Sequence, residues 1–435
     1  MSGPAVENSV SSGNASVTIP ADISGQMLDL DEDDDLEVFS KDTTITDGSY
    51  FNTSMQTSPA SMINQYKFEE EEEDVNAKDI FVTVDNPESH VTAIETYITY
   101  RVMTKTTRSE FDSSEFEVRR RYQDFLWLKG RLEEAHPTLI VHPLPEKFVM
   151  KGMVERFNED FIETRRRALH RFLNRIAEHP IFSSTEDFKI FLTAASEELI
   201  SHKKQGPGFL SRMGETVKAV AASVRGVRNR PEEFNDMQEY VEAFSQKISS
   251  LDKVTQRIIR EQREYLEELK ECGPTYNLWS NSEQDLAEPL KNMADCLDRC
   301  YKESDEQVKQ LNDQLTPALH EYVLCTETLK AVLRRRDNIQ ADFEAKTEAL
   351  ATKKADREAM RDDLEKLEDR LEWANNALKI DWTRWNKVMR TDLRSAFVDT
   401  AERNVSYYEK CLAIWESFLH SQRTDAEANG KDDFS

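Results

Sequence analysis

At 435 residues, with 32% charged side chains but only 12 Gly and 13 Pro, the chain leans towards long solvated helices and away from one large compact core. No run approaches the ~18 apolar residues that span a bilayer, and no basic segment followed by an apolar run stands at the start, so a soluble cytosolic protein is expected. The formal charge of −26 is uneven: residues 1–79 hold 18 Asp and Glu against 3 Lys and Arg, residues 80–230 hold 21 against 24, and residues 231–435 hold 44 against 30, so an anionic partner belongs to the middle section and a nucleic-acid binder is disfavoured.

Residues 1–78 are rich in Ser, Thr, Asn and Asp and carry two acidic runs, Asp31 to Asp35 and Glu69 to Asp74. Without sustained apolar periodicity they read as a disordered, self-repelling tail. From Ile80 the texture changes. Ile80-Phe81-Val82-Thr83-Val84, Val91 to Met103 and Phe116-Glu117-Val118-Arg119 predict three strands of an antiparallel meander, the first two separated at Asp85-Asn86-Pro87. A helix over Gln123 to Ala135 sets Phe125, Leu126, Leu128 and Leu132 on one side and stops before His136-Pro137. A proline-bearing loop, His142-Pro143-Leu144-Pro145-Glu146-Lys147, precedes helices from Val154 to Glu178 and from Ser184 to Glu198. Strands followed by helices make a small α+β domain over residues 79–201. His142, with no visible partner, reads as an exposed loop residue.

Residues 202–230 form a linker. After Gly206-Pro207-Gly208, residues Phe209, Met213, Val217, Val220, Val224 and Val227 recur at steps of three and four, with Arg212, Lys218, Arg225 and Arg228 on the other face. That pattern predicts an amphipathic helix lying in a membrane interface. Residues 231–435 are helix almost without punctuation. Met237, Val241, Phe244, Ile248, Leu251, Ile258, Tyr265 and Leu269 form a heptad seam, interrupted at Thr255 and Gln262 and ended by Gly273-Pro274. A second helix is expected from Ser282 to Leu350, bent at Pro317, and a third from Asp356 to His420. At 1.5 Å per residue such helices reach about 100 Å. One antiparallel trio would leave apolar stripes uncovered, so self-association is expected. The five cysteines, Cys272, Cys296, Cys300, Cys325 and Cys411, form no CxxC pair and read as buried free thiols. No metal set, cofactor motif or catalytic constellation stands out, and an enzyme is not expected.

The chemistry concentrates at Arg119-Arg120-Arg121-Tyr122-Gln123, where the third strand meets the first helix. Strand alternation places Arg119 and Arg121 on one face and Arg120 on the other. An inositol monophosphate is well held by a guanidinium fork with an aromatic ring against the sugar, and Arg121 and Tyr122 offer both. Taken alone, the run fits a solvated strand edge equally well. Lys147 at the end of the loop and Arg165-Arg166-Arg167 on the following helix add two more cationic elements that could converge on one anion.

These residues resemble the PX domain of sorting nexins: an Arg-Arg-Tyr-x-x-Phe junction, a Pro-x-x-Pro-x-Lys-like loop whose first proline is His142 here, and Phe161-Ile162-Glu163-Thr164-Arg165. The resemblance implies that Arg121 takes the 3-phosphate of phosphatidylinositol 3-phosphate, Tyr122 stacks on the inositol and Gln123 lines the pocket. It further implies that Lys147 meets the 1-phosphate and Arg165 the ring hydroxyls. The C-terminal 200 or so residues look like the all-α BAR domain of the same proteins, three long helices that pair into a dimer. The whole order is similar to that of PX-BAR sorting nexins, closest to the subgroup of sorting nexins four, seven and thirty. That implies a peripheral protein of early and recycling endosomes, acting in endosomal sorting and autophagy-related trafficking as a homodimer or as a heterodimer within the subgroup. The rival reading is a helical adaptor or tether whose PX-like domain binds protein.

Overall fold

The computed structural model describes residues 78–92, 96–146, 159–205, 227–352 and 357–429. The acidic tail, Lys147, the start of the helix expected from Val154, and Phe209, Met213, Val217, Val220 and Val224 lie outside the described residues; Val227 lies within them, half-buried.

Three strands, β1 (Ile80–Val91), β2 (Thr96–Thr106) and β3 (Glu115–Arg121), form one sheet in the order β1-β2-β3. Alternation sends Ile80, Val82 and Val84 of β1 and Tyr100, Val102 and Thr104 of β2 to the buried face. In the antiparallel register of β2 and β3, Tyr100 pairs with Arg120 and Thr99 with Arg121, so Arg120 shares the buried face while Arg121 points the other way. β1 does not end at Asp85-Asn86-Pro87 as the turn-rich tripeptide predicts, but runs on to Val91. β1 is an edge strand, where a proline removes no ladder bond it would need, and Asn86 takes up the irregularity with φ 42°. His90 and Tyr97 stack with ring centroids 5.0 Å apart.

Helices α1 (Tyr122–Ala135), α2 (Glu159–Ala177), α3 (Glu186–Thr193) and α4 (Ser196–Gln205) follow, with a 3-10 turn at Phe182–Ser184. Phe125, Leu128 and Leu132 of α1, Leu169, Phe172 and Leu173 of α2 and Phe188, Phe191 and Leu192 of α3 are fully or almost fully buried. One face of α2 also covers the free edge of β1: Arg166 donates to the Val84 carbonyl at 2.7 Å, Val84 N–H donates to His170 Nδ1 at 3.2 Å, and Asn174 donates to the Val82 carbonyl at 3.1 Å. Side chains four residues apart thereby satisfy backbone groups that would otherwise invite another strand. The single helix expected over Ser184 to Glu198 is two. Arg120 is the reason: its guanidinium donates to the Phe191 carbonyl at 2.9 Å and the Ala194 carbonyl at 2.5 Å, and Ala194 is extended, with ψ 138°.

The described residues of the second part are helical apart from a turn over 281–286: α5 (Glu232–Ser280), α6 (Ala287–Gln310), a π-helical turn (Leu311–Leu315), α7 (Thr316–Thr352) and α8 (Arg357–Asn429). Gly273-Pro274 does not break α5, because α6 packs along it and Gly273 lies buried there, where an added Cβ would stand 3.5 Å from the Ala294 carbonyl. One lost hydrogen bond is outweighed by that packing. Pro317 has no N–H to offer, and the turn preceding it widens into the π segment. The main core joins Phe234, Met237, Val241 and Ile248 of α5 to Leu319, Tyr322 and Leu329 of α7 and to Leu378, Trp385 and Met389 of α8.

The heptad seam is kept in both its rows as far as Ile248. Beyond it one row persists, with Thr255 buried and Leu269 packed on the Ile259 and Leu266 cluster, while the other moves to Asp252, Ile259, Leu266 and Gly273 and leaves Leu251, Ile258 and Tyr265 41%, 45% and 62% exposed. A straight helix drifts about 20° per heptad against a 3.5-residue repeat, and here one of the two core-facing rows has slipped by one residue. Val405, Tyr408, Leu412 and Leu419 of α8 are likewise exposed. The five cysteines are free; Cys296, Cys300 and Cys325 are buried, whereas Cys272 and Cys411 are only half-buried.

The α+β part is seated on the helices through the segment after α1. Ile140, fully buried, enters the helical core, and its N–H donates to Asp381 Oδ2 at 2.6 Å. His179 Nε2 stands 3.1 Å from the other oxygen of Asp381, and Arg384 donates to that oxygen at 2.8 Å. Arg175 pairs with Asp392 and Arg167 with Asp313, the latter at 3.3 Å.

Candidate functional site

At the end of β3 the backbone of Arg121 is extended, with φ −81° and ψ 163°, and serves as the N-cap of α1. Its N–H donates to Asp124 Oδ2 at 2.7 Å, and Lys203 of α4 holds Asp124 Oδ1 at 3.0 Å. An acid three residues into a helix satisfies the N-cap amide and complements the helix dipole. The strand-to-helix turn that aims Arg121 and Tyr122 is thus fixed by a carboxylate that is itself held in place.

Tyr122 donates from its hydroxyl to the Pro145 carbonyl at 2.5 Å. That bond ties the ring to the loop, two residues short of Lys147. The Arg165 guanidinium lies 4.3 Å from the Tyr122 centroid and 4.5 Å from that of Phe161. Arg165 is therefore flanked by two aromatic rings, which keeps the cation in place while leaving its N–H fork in the guanidinium plane. Tyr100 lies within the field of this pair, and burial, only partly opposed by the Arg165 charge, pushes its hydroxyl up to about 12. It stays a neutral donor.

The three arginines of α2 have three different roles. Arg165 joins Tyr122. Arg166 grips Glu163 through two bonds of 2.7 Å, and Arg167 binds Glu163 at 2.9 Å. Arg166 and Arg167 together outweigh burial and hold the Glu163 carboxyl at about 2. In the strand, Arg119 donates to Thr99 Oγ1 at 2.9 Å and to the Asn86 carbonyl at 2.7 Å. Arg120, 1% exposed, serves the core, and burial brings its guanidinium down to about 10. Of the anion-binding residues expected, Arg121, Tyr122 and Gln123 are half-buried at the junction, Arg165 is brought against Tyr122, and Lys147 lies outside the described residues.

Sequence reasoning assigned no role to Phe161 or Tyr100. The four-residue spacing of Phe161 and Arg165 was a signal for the first, and the pairing of Tyr100 with the arginine strand for the second. His142 is a correction. It is 5% exposed rather than a surface loop residue, because residues 138–142 are buried to a residue, with Ile140 packed into the helical core. Its Nδ1 lies 3.5 Å from Glu321 Oε1 and 3.9 Å from Cys325 Sγ. The Arg334-Arg335-Arg336 run diverges as helical steps of about 100° require. Arg336 is fully buried, donating to Asn375 at 2.7 Å with its guanidinium 4.0 Å from the Phe234 ring centroid.

Among the described residues no helix is long and apolar enough to cross a membrane, and no group of three or more His, Cys, Asp or Glu could hold a metal ion. The family described as PX domain matches residues 108–195, and that described as Vps5 C terminal like matches residues 210–391. The chain is 62% identical over 376 residues to Sorting nexin-7 of Homo sapiens, covering 86% of this chain and 96% of that relative. It is 46% identical over 381 residues to Sorting nexin-30 of Homo sapiens, covering 88% and 86% respectively. In structure it resembles a chain of the SNX-BAR Mvp1 tetramer solved by cryo-EM, with TM-score 0.53 and 16% identity, over 78% of this chain and 99% of that one.

Proposed function

The chain belongs to the sorting nexins, as a PX domain followed by a helical BAR domain, and on that premise we propose that it is a peripheral membrane protein that reads phosphatidylinositol 3-phosphate. Arg121 takes the 3-phosphate, Tyr122 the sugar face, Gln123 the pocket wall, Lys147 the 1-phosphate and Arg165 the ring hydroxyls. The observation that carries this reading is the convergence of Arg165 from α2 on Tyr122 from the strand-helix junction at 4.3 Å, with Arg121 as the immediate neighbour. A guanidinium fork beside an aromatic wall suits a phosphorylated ring better than it suits a peptide. These domains are non-enzymatic scaffolds, and the protein acts as one.

The functional division proposed is an acidic tail over 1–78, the lipid-reading domain over 79–201, an amphipathic linker over 202–230 and the dimerising helices over 231–435. The exposed rows Leu251, Ile258 and Tyr265 on α5 and Tyr408, Leu412 and Leu419 on α8 support association with a second copy or with another PX-BAR sorting nexin of the subgroup. The helical part is acidic overall, with 44 acids against 30 bases over residues 231–435. Membrane avidity then comes chiefly from the paired pockets and amphipathic linkers, and the rods supply shape and valency. The expected place of action is the cytosolic face of early and recycling endosomes, in sorting, recycling and autophagy-related traffic.

Vesicle sedimentation across the phosphoinositides tests the reading. Binding should require the 3-phosphate and fall at least about 100-fold in Arg121→Ala, the loss of a charge-assisted bidentate contact. An Arg121→Ala chain that still sediments, or that keeps its organelle in cells, would favour the adaptor instead.

A further inference from the structure

Two separate pieces of chain meet at the proposed lipid site, and both lead to one carboxylate in the other domain. Glu321 of α7 receives Arg171 at 3.0 Å and Arg175 at 3.4 Å. Those arginines lie on α2, the helix that carries Arg165. Glu321 also stands 3.5 Å from His142 Nδ1, at the head of the loop whose Pro145 carbonyl accepts the Tyr122 hydroxyl. Burial opposes its charge, yet His142, Arg175 and Arg171 hold the carboxyl at about 2. It is an anion shared by both walls of the site.

We propose that Glu321 is a positioning residue for the phosphoinositide site, setting the separation between α2 with Arg165 and the loop from His142 to Glu146. The inference rests on the reading that Arg121, Tyr122 and Arg165 hold the headgroup. A rigid ring with phosphates at fixed positions needs its walls held to about 0.5 Å. The loop is tied to its own domain by the Pro145 carbonyl on the Tyr122 hydroxyl, and the chain leading into it is anchored on the far domain by Ile140 in the helical core, the Ile140 N–H on Asp381 and His142 against Glu321. Without the Glu321 charge, α2 keeps its tether from Arg175 to Asp392, whereas the contact of His142 with α7 at Glu321 is weakened. The two walls then move independently, and affinity falls in part.

Isothermal titration of the soluble headgroup inositol 1,3-bisphosphate into the full chain decides this, at a temperature where every variant is folded by circular dichroism. Glu321→Gln should weaken the headgroup about fivefold to thirtyfold. Glu321→Asp, which keeps the charge, should recover part of the loss, and Arg121→Ala should abolish binding. A merely architectural glutamate would lower the melting temperature of Glu321→Gln and leave its affinity for the headgroup at the wild-type value; that result overturns the proposal. Should Glu321→Gln fail to fold, His142→Gln removes only the loop-side contact and should weaken binding about twofold to fivefold, and an unchanged affinity there is equally fatal. A wild-type chain that binds neither the headgroup nor vesicles carrying phosphatidylinositol 3-phosphate removes the lipid reading itself and this proposal with it.

Discussion

Arg119-Arg120-Arg121 and Arg334-Arg335-Arg336 are the same tripeptide set in two kinds of backbone. In the strand, successive side chains part by half a turn, so Arg120 goes into the core and its neighbours go out. In the helix they part by about 100°, so Arg336 is buried, Arg335 reaches back to Glu133 at 3.4 Å, and Arg334 faces solvent. Neither run is a basic patch. Each spends one arginine on architecture, and the outward one acquires a use only where a second element comes to meet it, as α2 does at Tyr122 and nothing described does at Arg334. A charge run therefore predicts a binding surface only together with the element opposite it.

That contrast can be broken most forcefully at Arg120. Its replacement by Ala strands the Phe191 and Ala194 carbonyls and should cost about 3–4 kcal/mol in urea unfolding, since hydrogen bonds to charged groups are each worth about 1.5–3 kcal/mol. A cost below 1 kcal/mol would mean that water serves those carbonyls as well.

Protons probe a second buried site, at His179. His179 is 2% exposed, and burial depresses its imidazole from 6.5 to about 4 despite Asp381. Between those values the unfolded chain holds a proton that the folded chain does not, so the stabilisation is complete above about pH 6.5 and is lost as pH falls towards 4. One such group gives a slope of at most ~1.4 kcal/mol per pH unit. Urea midpoints should fall across that window in the wild type, and His179→Gln should flatten the fall. An equal fall in the variant would assign it to other groups.

Arg336→Ala should cost less than Arg120→Ala, about 2 kcal/mol, because its partner Asp337 keeps Arg230. The smallest effects belong to the outward members. Arg121→Ala and Arg334→Ala should each leave stability within about 0.5 kcal/mol, and of the two only Arg121→Ala should release the protein from vesicles. If Arg334→Ala released it too, the helical run would be a membrane face after all.

The fold class was open to reading from sequence because its signals are local. Alternation in β2 and β3, the stop at His136-Pro137 and the long apolar periodicity each depend on residues within a turn or two. What escaped depends on partners far along the chain. The break between α3 and α4 is made by Arg120, some 70 residues away, and the continuity of α5 through Pro274 by its packing on α6. The burial of His142 follows from Glu321 and Cys325, 179 and 183 positions later. At the candidate site, the placing of Arg165 against Tyr122 agrees with the pattern Phe161 to Arg165 in sequence, whereas the tie from the loop to the second domain has no local trace. Spacing shows which residues share a face; it does not show what lies across from that face.

The one-residue slip in α5 has a consequence of its own. A helix that kept one phase from end to end would offer its apolar row to a single neighbour. Here the phase changes after Ile248, so the downstream half turns Ile259 and Leu266 to its own chain and presents Leu251, Ile258 and Tyr265 outward. The helix works as a vernier, with two repeats offset along one rod. The offset frees a second row without costing the first its burial, and an insertion of one residue just after Leu251 would carry Ile258 and Tyr265 into the places that Ile259 and Leu266 now hold.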